Sequence, residues 1–275
     1  MLKNKGMVIG VFIVSIFFLI GIFAPWIANH DPSNIYPELY KIPPIWKENG
    51  MANFYLGTDD LGRDFFSRLV YGARISILIG LTVIFISMSI GTLLGLIAGY
   101  FQKSVDNIIM GFIDILMAFP SILLAILVIS ILGPGLQNAI LASAVVSIPN
   151  FTRLVRSQVM VEKNKDYHLA AVSTGATSNL IIFKEILPNI LSPLIVQTTL
   201  GFSEAILNTA ALGFLGLGAQ PPLPEWGIML SDARPFMVSC PWLVTFPGLC
   251  IFLILLGFNL LGDGLRDHLD PKLRR

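Results

Sequence analysis

The residues best placed by type and spacing to do chemistry lie in one short stretch, DDLGRD at positions 59–64. Paired carboxylates beside an arginine can serve acid–base catalysis or hold a metal ion. Neither chemistry is favoured, because no histidine lies nearby in the sequence and one short turn does not make a substrate pocket. We expect a turn and a helix cap instead, with tight turns at Gly57 and Gly62 and with Thr58 or Asp60 capping the following helix.

The other residue types that carry chemistry are isolated from one another. The three histidines are scattered, so no cluster has the spacing of metal ligands. Cys240 and Cys250 would lie roughly 15 Å apart along a helix, too far for a disulfide. The glycine-rich text at 213–218 lacks the spacing and the lysine of a phosphate-binding loop. We therefore predict a chain that is not an enzyme and binds no metal, nucleotide or other cofactor by itself.

The composition favours a membrane protein. Of the 275 residues, 55% are hydrophobic and 13% are charged, whereas globular domains have about 25% charged residues. The formal net charge of +1 suggests neither nucleic acid nor an acidic substrate as a partner. Lipid is therefore the expected environment for most of the chain.

Six apolar segments are long enough to cross a bilayer as helices, which takes about 20 residues each. They cover 7–28, 73–100, 105–132, 136–158, 190–211 and 242–261. The first is longer than the core of a signal peptide and ends at Trp26, so we expect it to remain as a spanning helix. The fourth is the weakest, because Pro149 and Asn150 interrupt it and Arg153 and Arg156 end it. The prediction is an all-α membrane protein with six transmembrane helices.

Lysine and arginine placement sets the expected orientation. With the N-terminus in the cytoplasm, most of the 18 lysines and arginines lie in segments on the inner side. An even number of spans requires both termini on one side, so both termini are expected in the cytoplasm. The segments 29–71 and 213–241 are then extracytoplasmic, and the segment 159–188 is cytoplasmic.

The cytoplasmic segment is predicted to form two short helices, over 167–174 and 179–187. The first helix should be capped by Asp166 and end at Gly175, which can adopt the left-handed conformation. The second should be capped by Ser178 and end before Pro188, which disrupts helical hydrogen bonding. The first helix is small and fairly apolar on several sides, as suits a helix that lies in a partner's groove. The alternative is a surface hairpin without a partner.

Ionisable residues inside predicted spans are costly in lipid, which marks Asp114 and Glu204 as functional candidates. Asp114 lies in the third span near its inner end, and Glu204 lies in the fifth. Ser203 and Asn208 give Glu204 a polar surrounding that could form the wall of a pathway. The alternative is a buried, hydrogen-bonded group that joins two helices. Both remain open for Glu204, and the second is favoured for Asp114.

The pattern A-A-x-x-x-G, followed after ten residues by I-L-P, resembles the "EAA" loop of bacterial ABC-importer permeases. Its residues here are Ala170, Ala171, Gly175, Ile186, Leu187 and Pro188. In that family the short helix of the loop docks into a cleft of the ATPase subunit. The resemblance implies an ATPase-coupling role for these residues and for their neighbours Asp166, Tyr167, His168 and Leu169. Leu169 stands where the family often has Glu, so packing should dominate the contact.

Three longer stretches, 56–78, 211–234 and 258–273, are similar to the C-type permeases of peptide and nickel importers, most of all those of dipeptide importers. The resemblance covers nearly the whole chain. It implies the type I ABC-importer permease fold, a homologous permease as heterodimer partner, and two ATPase subunits that bind ATP and Mg. It also implies an extracytoplasmic substrate-binding protein and a place in the bacterial inner membrane. The residues implied to dock that binding protein are Asp59, Asp60, Arg63 and Asp64.

The sequence thus predicts one permease subunit of an ATP-driven importer of dipeptides or oligopeptides, which works by alternating access. One alternative is the same architecture with nickel, a metal chelate or haem as cargo. Another is a secondary transporter or channel that uses no ATP. That class would need a richer interior relay of ionisable groups than Asp114 and Glu204 provide.

Overall fold

The structure is a computed structural model that describes Lys5–Leu269, and every regular element in that range is helical. In chain order the main helices are α1 (Lys5–Ile22), α2 (Phe65–Phe101), α3 (Lys103–Met117), α4 (Ser121–Leu132), α5 (Leu136–Glu162), α6 (Asp166–Ser173), α7 (Ser178–Asn189), α8 (Leu191–Phe214), α9 (Trp226–Ala233) and α10 (Trp242–Leu269). The end of the third resembling stretch, 270–273, and some basic residues used for the orientation lie outside the described range. The prediction of an all-α fold is confirmed.

By length and composition, α1, α2, α5 and α10 can each cross a membrane alone. Two further pairs qualify only together: α3 with α4, bent by 96°, and α7 with α8, bent by 64°. The described residues therefore agree with six spans when each bent pair counts as one. The second helix begins at Phe65 rather than at 73, because Asp64 accepts a hydrogen bond from the backbone N–H of Ser67 and so caps it there.

The fifth helix is continuous from Leu136 to Glu162 although Pro149 lies inside it. The prediction that this span is interrupted at Pro149 and Asn150 and ends at the two arginines is therefore wrong. A proline removes one backbone hydrogen bond, and spanning helices tolerate this loss where neighbouring helices pack around the freed groups. Here Pro149 is buried and α5 packs along much of α2.

Close packing of α2 against α5 depends on small residues. Gly91, Gly95 and Gly99 recur every four residues on the α2 face that meets α5. A Cβ atom at Gly95 would lie 2.7 Å from the carbonyl oxygen of Thr152, which is closer than such atoms can approach. Small residues at this spacing let two helix backbones come together in a membrane. The seam fixes the position of α5, which carries much of the candidate site.

The outer end of the bundle is closed by α9 and by the loop that follows α1. Trp226 at the start of α9 is buried, and its indole N–H donates to the carbonyl of Leu69 at 3.1 Å. Its ring packs edge-on against Phe17 of α1 at a centroid distance of 5.7 Å. The start of α9 is therefore packed into the folded bundle.

Candidate functional site

The segment predicted to be cytoplasmic, 159–188, forms the predicted hairpin, in which α6 and α7 are joined at Gly175. Gly175 has φ +80°, the left-handed conformation expected of it, and a Cβ there would meet nothing within 4 Å. Both cap predictions are wrong, because Asp166 and Ser178 are each the first residue of a helix. A capping residue has non-helical backbone angles, and neither preceding residue, Lys165 or Thr177, makes a side-chain cap bond.

The second helix of the hairpin does not end before Pro188, as the sequence predicted. It widens into a π-helical turn over Ile181–Ile186 and ends at Asn189. The wider turn lies directly ahead of the proline, whose ring would clash with the carbonyl four residues earlier in a regular α-helix. The chain bends by 64° immediately afterwards, where α8 begins. The proline therefore marks a corner between the hairpin and the fifth span.

An apolar surface of the hairpin faces outward. The side chains of Leu169 and Val172 on α6 are 59% and 51% exposed, and Phe183 on α7 is 52% exposed. His168 lies on the buried side of α6, where it is 7% exposed and packs edge-on against Tyr100 at 6.0 Å. The exposed leucine is available to a partner subunit, whereas His168 serves the packing of the hairpin on α2.

The other predicted coupling residues divide between these two faces. Exposed residues are Asp166, Ala170, Gly175 and Pro188; half-buried residues are Tyr167, Ala171 and Leu187; and Ile186 is fully buried. Of the A-A half of the pattern, Ala170 contributes to the exposed surface of the hairpin, whereas Ala171 packs against the core. The I-L-P half fixes the hairpin to the bundle.

A buried carboxylate anchors the start of the hairpin, and sequence reasoning missed it. Glu162, the last residue of α5, is 5% exposed and accepts hydrogen bonds from the hydroxyl of Tyr167 at 2.8 Å and from Lys165 Nζ at 2.7 Å. Burial, followed by the bond to Glu162, raises the pKa of Tyr167 to about 12. In the sequence, Glu162 is followed by Lys165 three residues later and by Tyr167 five residues later. This spacing after the end of a helix is the signal that could have identified the contact. This contact holds α6 at a fixed angle to α5.

The outer cluster at 59–64 is folded inward. The side chains of Asp59, Arg63 and Asp64 are 9%, 4% and 1% exposed, and only Asp60, at 29%, is partly open to solvent. Arg63 Nε lies 2.7 Å from the Asp59 carboxylate. Burial and the neighbouring Asp59 carboxylate raise the pKa of Asp60. The cluster is thus mainly structural, and three of its four predicted docking residues are inaccessible in this chain.

Arg68, which sequence reasoning did not select, joins separate parts of the outer face. It is 1% exposed, lies 3.3 Å from the Asp59 carboxylate, and donates to the carbonyls of Pro32 and Pro222 at 3.2 Å each. The three partners come from the loop after α1, the turn before α2 and the loop before α9. Such distant partners explain why no local pattern indicated its role.

Asp64 caps α2, so the prediction that Thr58 or Asp60 would do so is wrong. Folding also brings His30 Nδ1 to 3.2 Å from Asp64 Oδ2, although no histidine is near in sequence. Ser67 directs its hydroxyl to the same carboxylate rather than to the imidazole, and it is fully buried. A nucleophilic serine also needs access to substrate, and Ser67 has none, so this arrangement is structural.

A cleft of about 330 Å³ opens between the α3–α4 elbow, the middle of α5 and α8. Its polar residues are Ser121, Asn150, Glu204 and Asn208, and the amide nitrogen of Asn150 lies 3.4 Å from Glu204 Oε2. Met117 and Phe119 of the elbow contribute apolar surface. Two of the predicted pathway residues, Glu204 and Asn208, therefore share one cavity wall.

The other two pathway candidates lie elsewhere. Ser203 is buried, and its hydroxyl points to the carbonyl of Leu255 on α10 at 3.4 Å, because adjacent residues of a helix face different directions. Asp114 forms an ion pair with Arg153 of α5 at 2.5 Å, with the two side chains 58% and 46% exposed. Asp114 therefore joins two helices, as in the alternative favoured from the sequence. That alternative placed it in a buried position, whereas here the ion pair lies on an open surface.

Comparison with known proteins places the chain in a transport family. Residues 91–275 match the family described as binding-protein-dependent transport system inner membrane component, and residues 1–44 match the N-terminal TM domain of oligopeptide transport permease C. The chain is also similar to the permease of a methionine ABC transporter, MetNI, solved in inward-facing conformations. The TM-score is 0.60 at 21% identity, over 74% of this chain and 96% of that one, which establishes the fold alone.

Several curated relatives match almost the full chain. The dipeptide transport system permease protein DppC of Escherichia coli strain K12 is 54% identical over 273 residues, 99% of this chain and 91% of the relative. The di/tripeptide transport system permease protein DppC of Pseudomonas aeruginosa is 51% identical over 98% of this chain and 89% of the relative. The glutathione transport system permease protein GsiD of Escherichia coli strain 536 is 46% identical over 99% of this chain and 88% of the relative. The chain therefore belongs to the binding-protein-dependent inner membrane transport components, as a C-type permease subunit of an ABC importer.

Proposed function

We propose that the chain pairs with a homologous permease to form the pathway of an ATP-driven importer of dipeptides and other short peptides. Relatives that match nearly its whole length are named as transporters of dipeptides, di- and tripeptides or glutathione, all of which are short peptides. The observation that carries the ATP-driven part is the hairpin, which exposes Leu169 and Val172 while it is fastened to the bundle. An apolar helix face kept outside the spans suits docking in a groove.

In this mechanism the chain has no chemistry of its own. ATP and Mg are bound by two partner ATPases, and closure of the ATPase dimer displaces the docked α6. The Tyr167–Glu162 hydrogen bond passes the displacement to α5, and the corner after Pro188 passes it to α8. Both helices line the cleft, so the hairpin biases a two-state equilibrium between outward and inward access.

On the outer side, an extracytoplasmic binding protein delivers the peptide. Asp60 is the one member of the predicted docking set with an accessible side chain in the described chain. Asp59, Arg63 and Asp64 support the surface from beneath. We therefore assign direct docking to Asp60 and a supporting role to the other three.

Reconstitution tests the proposal directly. The complete importer in proteoliposomes, with ATP inside and the binding protein outside, should accumulate a labelled dipeptide only when ATP and the binding protein are both present. Omitting either component is the control. Uptake by this chain alone under a proton gradient would instead support a secondary transporter, and ATP-dependent uptake of nickel or haem without peptide would support the metal-type alternative.

A further inference from the structure

The acidic side chains on the spans differ in whether a basic group balances them. On α3, Asp106 is paired with Arg156 and Asp114 with Arg153, each across to α5. Glu204 on α8 makes no ion pair with any residue in the described part of the chain. Its one polar contact there is the long bond from the Asn150 amide, at 3.4 Å. A carboxylate in a spanning helix is costly without a partner, so Glu204 is placed to take up a cationic group from outside the described chain.

The surroundings of Glu204 present oxygen atoms to a cavity. Asn208 lies one helical turn further along α8, on the same face, and Asn150 lies opposite on α5. Because the Asn150 amide nitrogen is directed at Glu204, its carbonyl oxygen remains free to accept another hydrogen bond. The carboxylate and two amide oxygens together can accept the three N–H donors of a primary ammonium group.

The rest of the cleft suits a short peptide. Its volume of about 330 Å³ is at the lower end of the range for small-molecule sites, about 300–1,000 Å³. Met117, Phe119 and Leu207 add adaptable apolar surface without directional contacts, so side chains of different shapes can be accommodated. The amide and carboxylate groups all come from α5 and α8, so a fixed part of every substrate should lie against these two helices.

We propose that Glu204, Asn150 and Asn208 form a transit subsite that binds the α-ammonium group of the peptide as it crosses. This rests on the proposed function, peptide import, and adds the part of the substrate that this chain recognises. The α-ammonium is common to all unmodified peptides, whereas their side chains vary. A single carboxylate with two amides in an open cleft also binds weakly enough to release its cargo.

The charge of the subsite is tested first, without substrate. In the complete importer, Cys240 and Cys250 are replaced by serine. Leu207, which lines the cleft beside Glu204, is replaced by cysteine. The rate at which this new cysteine reacts is measured with a cationic and with an anionic methanethiosulfonate reagent. The ratio of the two rates is compared between the protein that keeps Glu204 and the Glu204→Gln variant. We expect the ratio to fall several-fold in the glutamine variant, because the local negative potential is lost. An unchanged ratio would overturn the proposal.

Transport then tests the substrate. Glu204→Gln should lower dipeptide uptake about tenfold, as loss of a charge-assisted hydrogen bond implies, while Glu204→Asp retains most of it. Both variants should co-purify with the partner subunits, which is the control for assembly. Normal uptake by Glu204→Gln contradicts the subsite, and so does failure of that variant to assemble, which would reveal a basic partner from the second permease. If the unmodified importer shows no peptide-stimulated ATPase activity, the proposed function itself fails.

Discussion

At the scale of single residues, Glu225 shows how burial changes the behaviour of a capping group. It is 3% exposed and accepts from the backbone N–H groups of Gly227 at 2.8 Å and Ile228 at 3.0 Å, at the start of α9. Burial raises its pKa to about 7, although both hydrogen bonds act in the opposite direction. Its carboxyl group is therefore easier to protonate in the folded chain than in the unfolded one.

This raised pKa predicts a pH-dependent stability. Below the ordinary pKa of 4.5 both states hold the proton, and between 4.5 and about 7 only the folded state does. Stability contributed by the proton is thus complete below 4.5 and lost as the pH rises through about 7. Thermal unfolding of the detergent-purified protein should show a downward slope in that range, and Glu225→Gln should flatten it. An equal slope in both proteins would assign the effect to other groups.

A second residue-scale prediction concerns Gly175. Because φ is +80° and a Cβ there would meet nothing within 4 Å, Gly175→Val adds backbone strain without a clash. The left-handed conformation costs about 1–2 kcal/mol for a residue with a side chain, and more for a β-branched one. We expect reduced transport and reduced coupling to ATP hydrolysis. Gly175→Asn, which tolerates this conformation, is the control; normal transport by the valine variant would refute the role of the turn.

At the scale of elements, the hairpin works as a docking device because one side is anchored and the other is exposed. Leu169→Ser removes apolar surface from the exposed side without touching the Tyr167–Glu162 bond. Burial of a leucine contributes about 1.5–3 kcal/mol, so ATPase binding should weaken by roughly tenfold or more in a titration of the solubilised permease pair. Leu169→Met should bind nearly normally. Equal affinity for the serine variant would move the docking contact away from α6.

The glycine seam between α2 and α5 gives a prediction with an internal control. A Cβ at Gly95 would lie 2.7 Å from a backbone oxygen, whereas a Cβ at Gly111 of α3 would meet nothing within 4 Å. Gly95→Ala should lower stability by about 1–3 kcal/mol through overpacking. Gly111→Ala should leave it equal or slightly higher, because alanine is the better helix former. Thermal unfolding of the two variants compares them, and equal effects would argue against close packing at the seam.

At the scale of the whole molecule, Asp59 and Arg68 tie the outer loops into one face. Asp59→Asn would leave two buried arginines short of a counter-charge, and the loss of a buried charge partner costs about 3–5 kcal/mol. We expect poor folding of the chain together with loss of the response to the binding protein. Asp60→Asn, on the surface, should weaken the response alone. Complete assembly of the Asp59 variant with a selective loss of response would restore Asp59 as a docking residue.

Much of the architecture follows from local sequence properties. Apolar length predicts the spans, and Gly175 predicts the turn of the hairpin, because the hydropathy of a segment and its backbone angles depend on residues close together in the chain. Errors of one residue arose at Asp166 and Ser178, where nothing local distinguishes a cap from the first residue of a helix. Pro149 was misjudged because packing by α2 compensates for its missing hydrogen bond.

The sequence by itself determined the fold class, the apolar segments long enough to cross a membrane and the turn of the hairpin at Gly175. Only the tertiary structure decided which polar residues are available to partners or substrate. Folding brought His30 to Asp64 and Arg68 to three distant segments, and it buried Asp59 and Ser203. It also left Glu204 facing a cleft without a basic partner in the described chain. The reason is that burial and charge pairing depend on neighbours that are remote in sequence, which no local pattern records.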